Sequence, residues 1–377
     1  MRSAQRSWHF WDNRPCIHLF SSLLFKNKHI LRNEQPNSPP PLSINRTMNA
    51  KEPIQFSSSL HSAKELSRFW NTYYKTSEWS VHYSEKDVLE MLQKEHATIL
   101  GVRNPEGEIV GTVASMPLTG RFVCQDEELQ QKFFQVECLV IHPHMRGKGL
   151  AGWLLAWLDY MTSRNGAVVH SWIRESRFTN TTKLSKRTIV PFTRMITAQI
   201  SFARLVTKPH PERVDPISWK TMLSLFHEIR NSKHYGFDLF YIPNEEPNIT
   251  WWRVEIPDHP SCAMIVGIAD TYRVKGKSKI YNVAFTCFVR IRPGDTNDIA
   301  DPFWYEDDSY CPYIQECIEA AAVAQKCDIL TISNNSTCGD PFLKKWSNWS
   351  MSERKRKLYL YNWNHPSLIN GSIIWPM

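Results

Sequence analysis

Residues 133–158 read Phe-Phe-Gln-Val-Glu-Cys-Leu-Val-Ile-His-Pro-His-Met-Arg-Gly-Lys-Gly-Leu-Ala-Gly-Trp-Leu-Leu-Ala-Trp-Leu. The segment 136–141 is short, apolar and partly β-branched, which suits a buried strand. Residues 142–148 form a basic, glycine-containing turn. From Leu150 onward, Leu150, Trp153, Leu154, Trp157, Leu158 and Met161 fall at helical spacing. A strand feeding a glycine-rich turn into a helix directs unpaired backbone N–H groups at one point, with the positive end of the helix dipole behind them. That chemistry fits a phosphate, held by Arg146, Gly147, Lys148, Gly149, Leu150 and Ala151. An ordinary strand–helix turn with a surface Arg and Lys fits the same residues.

The neighbouring elements must position this turn. Leu66, Phe69, Trp70 and Tyr73 repeat at helical spacing, and Ser84-x-x-Asp87 predicts a capped helix to about residue 93. Residues 98–103 and 109–116 read as strands joined by the Asn104-Pro105-Glu106-Gly107 turn, and 167–173 as a further strand. A second unit follows in similar order. It comprises a strand at 200–206, a helix at 218–229, and paired strands at 263–269 and 279–291 around Lys275-Gly276-Lys277. A helix at 313–324 and a strand at 328–332 complete it. The second unit has no Arg-x-x-Gly-x-Ala.

With 377 residues the chain is long enough for two domains or one large double one. A hydrophobic content of 42% and an aromatic content of 12% exclude disorder and imply a large core. The net charge of +8 is spread along the chain, which suits phosphate-bearing ligands and gives no footprint for nucleic acid. The nine cysteines are scattered and include no Cys-x-x-Cys pair, so they read as reduced thiols of a cytoplasmic protein. No His/Cys cluster suggests a metal, and no apolar run is long enough for a membrane span. Residues 1–35 carry six basic side chains around an apolar patch broken by Ser21 and Ser22, against a secretory signal. An organelle transit peptide remains an open reading there. A Pro-rich linker follows at 35–42.

Two resemblances sharpen this reading. The spacing Arg146-x-x-Gly149-x-Ala151 resembles the pyrophosphate loop of GNAT-type acyltransferases, which hold the diphosphate of coenzyme A there, and the order of elements is theirs. Near the C-terminus, Leu358-Tyr-Leu-Tyr-Asn-Trp363-Asn-His-Pro-Ser367 closely resembles the signature of N-myristoyltransferases. His9-Phe10-Trp11-Asp12-Asn13-Arg14-Pro15 is similar to that family's N-terminal segment over the acyl-CoA, and Val136-Glu-Cys-Leu-Val-Ile-His142 to its oxyanion strand. The likeness runs from about residue 9 to 377, with gaps. It implies a mixed α/β fold of two tandem GNAT-like halves around a continuous mixed β-sheet with flanking helices. Residues 1–53 would be an arm and linker, 54–199 the half that binds myristoyl-CoA, and 200–377 the half that binds the peptide.

The implied reaction moves a myristoyl group from myristoyl-CoA, a co-substrate, to the N-terminal glycine amine of a protein substrate; a monomer is expected. Preorganised backbone donors would hold the thioester oxygen as it gains charge, and the family's two donors map to the N–H groups of Cys138 and Leu139. Phe10, Trp11, Asp12 and Asn13 would lie against the acyl-CoA. The amine must also lose a proton. Its ordinary pKa is about 7.7–8.0 and a terminal carboxylate's about 3.3–3.7, a gap that costs roughly 5–6 kcal/mol when both are exposed and less when both are buried. In the family the C-terminal carboxylate is this base. Here 14 residues follow Trp363 and the last five, from Ile373 to Met377, are apolar enough to enter the protein, which assigns the role to Met377.

The sequence also departs from the family. Asn13-Arg14 replaces Thr-Gln, Gly147 and Gly149 replace a Ser and an Arg, and Ser171-Trp172-Ile173 replaces Thr-Ala-Gly. Trp172 would narrow the glycine pocket if it stands near the reacting centre. Two alternatives stay open: an acyltransferase for another acyl-CoA or amine, and an inactive homologue that binds acyl-CoA.

Overall fold

The computed structural model describes Pro40 and residues 52–124, 127–129, 132–176, 182–184, 187–189, 193–195, 197–202, 214–231, 239–244, 246–256, 259–291, 299–303, 311–333, 346, 348–351, 355–361 and 373–374. No helix among the described residues is long and apolar enough to cross a membrane.

The first half opens with β1 (Ile54–Gln55), α1 (Leu60–Tyr73), β2 (Ser80–Val81) and α2 (Glu85–Gln93). Ser59 caps α1 by accepting from Ser62 N, and Ser84 with Asp87 forms the capping box that the sequence predicts for α2. The hairpin of β3 (Thr98–Arg103) and β4 (Ile109–Pro117) turns at Gly107. After β5 (Gly120–Cys124) and β6 (Glu127–Leu129) comes the strand of the phosphate turn, β7 (Lys132–Ile141), which starts earlier than the apolar run suggests. Helix α3 (Leu150–Arg164) leads to β8 (Ala167–Ser176), and β9 (Thr182–Leu184), β10 (Arg187–Ile189) and β11 (Thr193–Met195) follow.

The second half begins with β12 (Thr197–Ser201), β13 (Val214–Ile217), α4 (Trp219–Asn231), β14 (Leu239–Pro243) and β15 (Ile249–Ile256). Its centre is β16 (His259–Lys275) paired with β17 (Ser278–Ile291). Then come β18 (Ile299–Phe303), α5 (Cys311–Ala324), β19 (Ile329–Ser333), β20 (Ser350–Met351), β21 (Lys355–Tyr361) and β22 (Ile373–Ile374).

The mixed α/β architecture is as expected, but the sheet is not continuous among the described residues. A seven-stranded sheet runs β1-β3-β4-β7-β8-β21-β11, and a nine-stranded sheet is built on β13-β15-β16-β17-β19-β12-β20. The chain passes from one sheet to the other between Met195 and Thr197. Each half also lends the other a strand. β2 pairs with β16 of the second sheet, and β21, which carries the first residues of the C-terminal signature, pairs antiparallel with β8 of the first. The two halves are thus locked by backbone hydrogen bonds as well as by packing.

The halves repeat one plan. β3-β4-β7 is antiparallel, α3 crosses over, and β8 returns parallel to β7; β15-β16-β17 is antiparallel, α5 crosses, and β19 returns parallel to β17. In the first sheet one face is covered by α1 and α2 through Leu66, Trp70, Val88 and Ala114, and the other by α3 through Trp153, Leu154 and Trp157 against Val110 and Val113.

Gly111 sets how closely α3 can sit on β4. A Cβ there would stand 3.0 Å from Leu150 Cδ2 and 3.1 Å from Ile141 Cδ1. Gly111→Ala is therefore expected to push the first turn of α3 outward and to destabilise the fold by about 1–3 kcal/mol, measured as a lower midpoint in urea unfolding.

Candidate active site

The phosphate turn folds as its residue types require. β7 ends at Ile141, a 3₁₀ turn spans Pro143–Met145, and the chain then passes through Gly147 (φ 75°) and Gly149 (φ 79°) into α3. Both glycines are left-handed, a conformation that costs other residues about 1–2 kcal/mol. This explains why both positions are glycine. Gly149 is the N-cap and offers no side chain to the amides of Leu150, Ala151 and Gly152, and the first turn has no acidic residue. Those donors, together with the helix dipole, are left for an anion. Arg146 Nε donates to the Ile141 carbonyl (3.1 Å), which holds its exposed guanidinium beside the turn. His142 shares a hydrogen bond with Tyr73 Oη (3.0 Å), tying the turn to α1.

Next to this corner the parallel pair of strands separates. β7 pairs with β8 from Lys132 to Gln135, where Gln135 faces Ser171, and no further, whereas it stays paired with β4 to Ile141. At the point of separation β7 bulges. Glu137 faces Ala114 and Val140 faces Thr112, so Cys138 and Leu139 together oppose the single residue Val113. Cys138 has φ 49°, an uncommon backbone for a residue with a side chain. A buried chain of hydrogen bonds holds it there: Trp70 Nε1 donates to Thr112 Oγ1 (2.9 Å), and Thr112 Oγ1 donates to the Cys138 carbonyl (3.0 Å). Cys138 is fully buried, while Leu139 is 38% exposed at the opening. The two residues assigned as oxyanion donors are therefore the two that form the bulge.

Burial pushes the Cys138 thiol well above its ordinary range, and neighbouring Glu137 adds to the effect while a hydrogen bond with Tyr83 opposes it. Such a thiol stays protonated, which removes it as a nucleophile and leaves its backbone as the useful part. Tyr83 is likewise raised, chiefly by burial. Sequence reasoning passed over Glu137. It is half-buried on β7, its Oε1 accepts from Gln135 Nε2 (2.8 Å), and burial raises its carboxyl against the opposing charges of Lys94 and Arg273. The available signal was a charge inside an otherwise apolar strand.

Other expected residues lie elsewhere. Phe10, Trp11, Asp12, Asn13, Met377 and residues 362–367 lie outside the described residues. Leu358 to Tyr361 fall on β21, and Tyr359 faces Trp172 across the ladder. Trp172 alternates with Ser171 and shares its face with His170, which bonds Thr162 of α3 (2.9 Å). Gln135 and Glu137 lie on the opposite face with Ser171, so Trp172 does not stand on the side of that carboxylate.

Thr112→Val keeps the shape but leaves the Trp70 N–H and the Cys138 carbonyl buried without this partner, at a cost of about 1–3 kcal/mol each. Lower thermal stability is expected in calorimetry, with a loosened bulge. Cys138→Ala keeps the backbone donors and is expected to retain the protein's activity within a few-fold, whereas a nucleophilic role would require its loss.

The fold agrees with known proteins at two levels. Residues 64–180, from α1 through β8, match the Acetyltransferase (GNAT) family. No curated protein matches the chain in sequence. Among solved structures the chain is similar to Saccharomyces cerevisiae N-myristoyltransferase with bound myristoyl-CoA, at 13% identity and a TM-score of 0.60 over 94% of this chain and 92% of that one. A second structure with myristoyl-CoA gives 12% identity and a TM-score of 0.63 over 94% and 88%. A third, with myristoyl-CoA and inhibitors, gives 12% and 0.60 over 94% and 90%. At these identities the likeness is one of fold. The chain has the N-myristoyltransferase-like fold, with a GNAT-type unit in its first half.

Proposed function

We propose that the protein is a glycylpeptide N-tetradecanoyltransferase, moving a myristoyl group from myristoyl-CoA to the N-terminal glycine amine of protein substrates. The observation that carries this reading is the opening between β7 and β8, with a bulged pair of backbone donors at its floor and an uncapped, glycine-led helix N-terminus beside it. Coenzyme A would place its diphosphate on the amides of Leu150 and Ala151, with Arg146 and Lys148 supplying charge and Gly147 and Gly149 letting the backbone approach. Its thioester would reach the bulge, where the N–H groups of Cys138 and Leu139 receive the carbonyl oxygen as it becomes negative. The acyl chain needs a dry slot, and at about 0.8 kcal/mol per buried CH₂ its length governs affinity. Phe10, Trp11, Asp12 and Asn13 would close over the acyl-CoA.

The Met377 carboxylate would free the amine from its proton. Support comes from the described end of the tail: Ile373–Ile374 pairs parallel with Leu239–Phe240 of β14, and β14 runs toward Pro243, which faces Gly120 of β5. A strand-paired tail is anchored, unlike the usual frayed chain end. The free cysteines among the described residues, four of five buried, fit a reducing compartment such as the cytoplasm. A second reading is favoured by the loop itself. Gly147 and Gly149 give it the form of a general GNAT loop, which admits another acyl-CoA or amine.

Purified protein given myristoyl-CoA and a Gly-first peptide is expected to add the acyl mass at the glycine amine, and to add none to an Ala-first peptide. Transfer of a shorter acyl group instead would select the second reading, and binding without transfer would leave an acyl-CoA binder. Arg146→Ala is expected to weaken coenzyme A binding about tenfold in calorimetry, close to 1.4 kcal/mol. Two residues appended after Met377 are expected to abolish turnover and leave that affinity unchanged.

A further inference from the structure

We infer that Glu137 is a second carboxylate of the reaction site, taking the proton from the attacking nitrogen in the tetrahedral intermediate and returning it to the coenzyme A sulfur as the carbon–sulfur bond breaks. The inference rests on the acyl-transfer reading above and deepens it.

The need for such a group follows from counting protons. An α-ammonium carries three N–H protons and the amide product one. The first leaves when the amine is freed, which is the role given to Met377. After attack forms the carbon–nitrogen bond, the nitrogen is again positive and must lose a second proton. The departing sulfur must gain one to leave as a thiol. One group that accepts and then donates balances both steps, with no change in oxidation state.

Glu137 is placed to be that group. Strand pairing between β7 and β8 ends at Gln135 opposite Ser171, and Glu137 is the next residue of β7 on the same face. It lies beyond the last β7–β8 pair and immediately precedes Cys138 and Leu139, so its Cα is within about 7 Å along the strand of the oxyanion donors. Gln135 Nε2 holds Oε1 at 2.8 Å, and Oε2 receives no hydrogen bond from the described residues. The residue is half-buried. No described basic side chain lies within ion-pair distance. Lys94, at the end of α2, and Arg273, on β16, act on it only at longer range, and its other titratable neighbours, Tyr83 and Cys138, are held protonated.

The position also has an electrostatic requirement. A permanent negative charge next to an oxyanion would oppose its formation. A carboxylate that takes the nitrogen's proton is neutral while the oxyanion persists, and so avoids this repulsion. Burial holds the Glu137 carboxyl above its ordinary range, which makes it a readier proton acceptor than an exposed carboxylate.

The test uses the full chain, a Gly-first peptide and two donors: myristoyl-CoA, and a tetradecanoyl thioester of an acidic aryl thiol, whose sulfur leaves without a proton. Glu137→Gln is expected to lower kcat at least 100-fold with myristoyl-CoA, near the lower end of acid–base catalysis, and clearly less with the aryl donor. Affinity for myristoyl-CoA should be unchanged, and the acidic limb of the kcat–pH profile should change shape, leaving the part that belongs to the Met377 carboxylate. Folding is checked by thermal unfolding. A carboxyl raised in the folded state loses stability as pH rises, so E137Q should unfold at no lower temperature than the parent at pH 7, an advantage that fades below the carboxylate range. Gln135→Met, which removes the donor on Oε1, should lose about tenfold in kcat with the same dependence on donor, and it decides the matter if E137Q does not fold. Equal turnover of E137Q and parent, or an equal loss with both donors, would overturn the role of Glu137 alone. A parent chain that transfers from neither donor would overturn acyl transfer, and Glu137's part with it.

Discussion

A single buried chain of hydrogen bonds, from the Trp70 indole through the Thr112 hydroxyl to the Cys138 carbonyl, fixes the bulge in the middle of β7. It crosses from α1 through β4 to β7 and pins a left-handed residue in the middle of a central strand. The carbonyl of Cys138 is drawn toward the α1 side, so β7 carries an extra residue against β4 and parts from β8. Without that bulge, β7 and β8 would zip as an ordinary parallel pair and leave no room between them. Strain at one residue is exchanged for an opening in the sheet, and the hydrogen bonds of its neighbours hold the exchange in place.

The corner at the start of α3 is then arranged about the opening. Left-handed Gly147 and Gly149 turn the chain sharply, Arg146 is tied back to Ile141, and α3 is held close by Gly111 beneath Leu150 and Leu154. Two features of different origin, a bulge in a strand and an uncapped helix end, are therefore separated only by the end of β7 and its turn. One suits a developing oxyanion and the other a diphosphate.

The second half keeps the architecture and changes its use. Its parallel pairing of β17 with β19 also ends early, at Val283, and its β16–β17 ladder also shifts register beside that point, between Gly267 and Ile268. Yet no Arg-x-x-Gly-x-Ala follows β17. The second half lacks the glycine-led turn of the first while its parallel pairing also stops short. Reciprocal loans of β2 and β21 fasten the two halves together, and β21 lies directly against β8, on the far side of the opening from β7. The strand of the C-terminal signature thus forms part of the first half's sheet, whatever the remaining signature residues do.

Local chemistry was legible in the sequence. The capping box at Ser84 and Asp87, the turn at Asn104 to Gly107, the apolar stripe of α3 and the glycines of the phosphate turn each announce themselves within a few residues, because each depends on short-range geometry. The resemblance at residues 358–367 pointed to the fold. What could not be read was everything set by partners distant in the chain. Strand β15 mixes Arg253 and Glu255 with its aromatic residues, and only pairing with β13 and β16 shows which of them are buried. The place of β21 beside β8 joins residues far apart in sequence. Above all, the bulge at Cys138 depends on Thr112 and Trp70, and the significance of Glu137 on where that bulge lies. Nothing local distinguishes a stray charge in an apolar strand from a carboxylate beside a bulge; only the tertiary contacts that split β7 from β8 show where Glu137 lies.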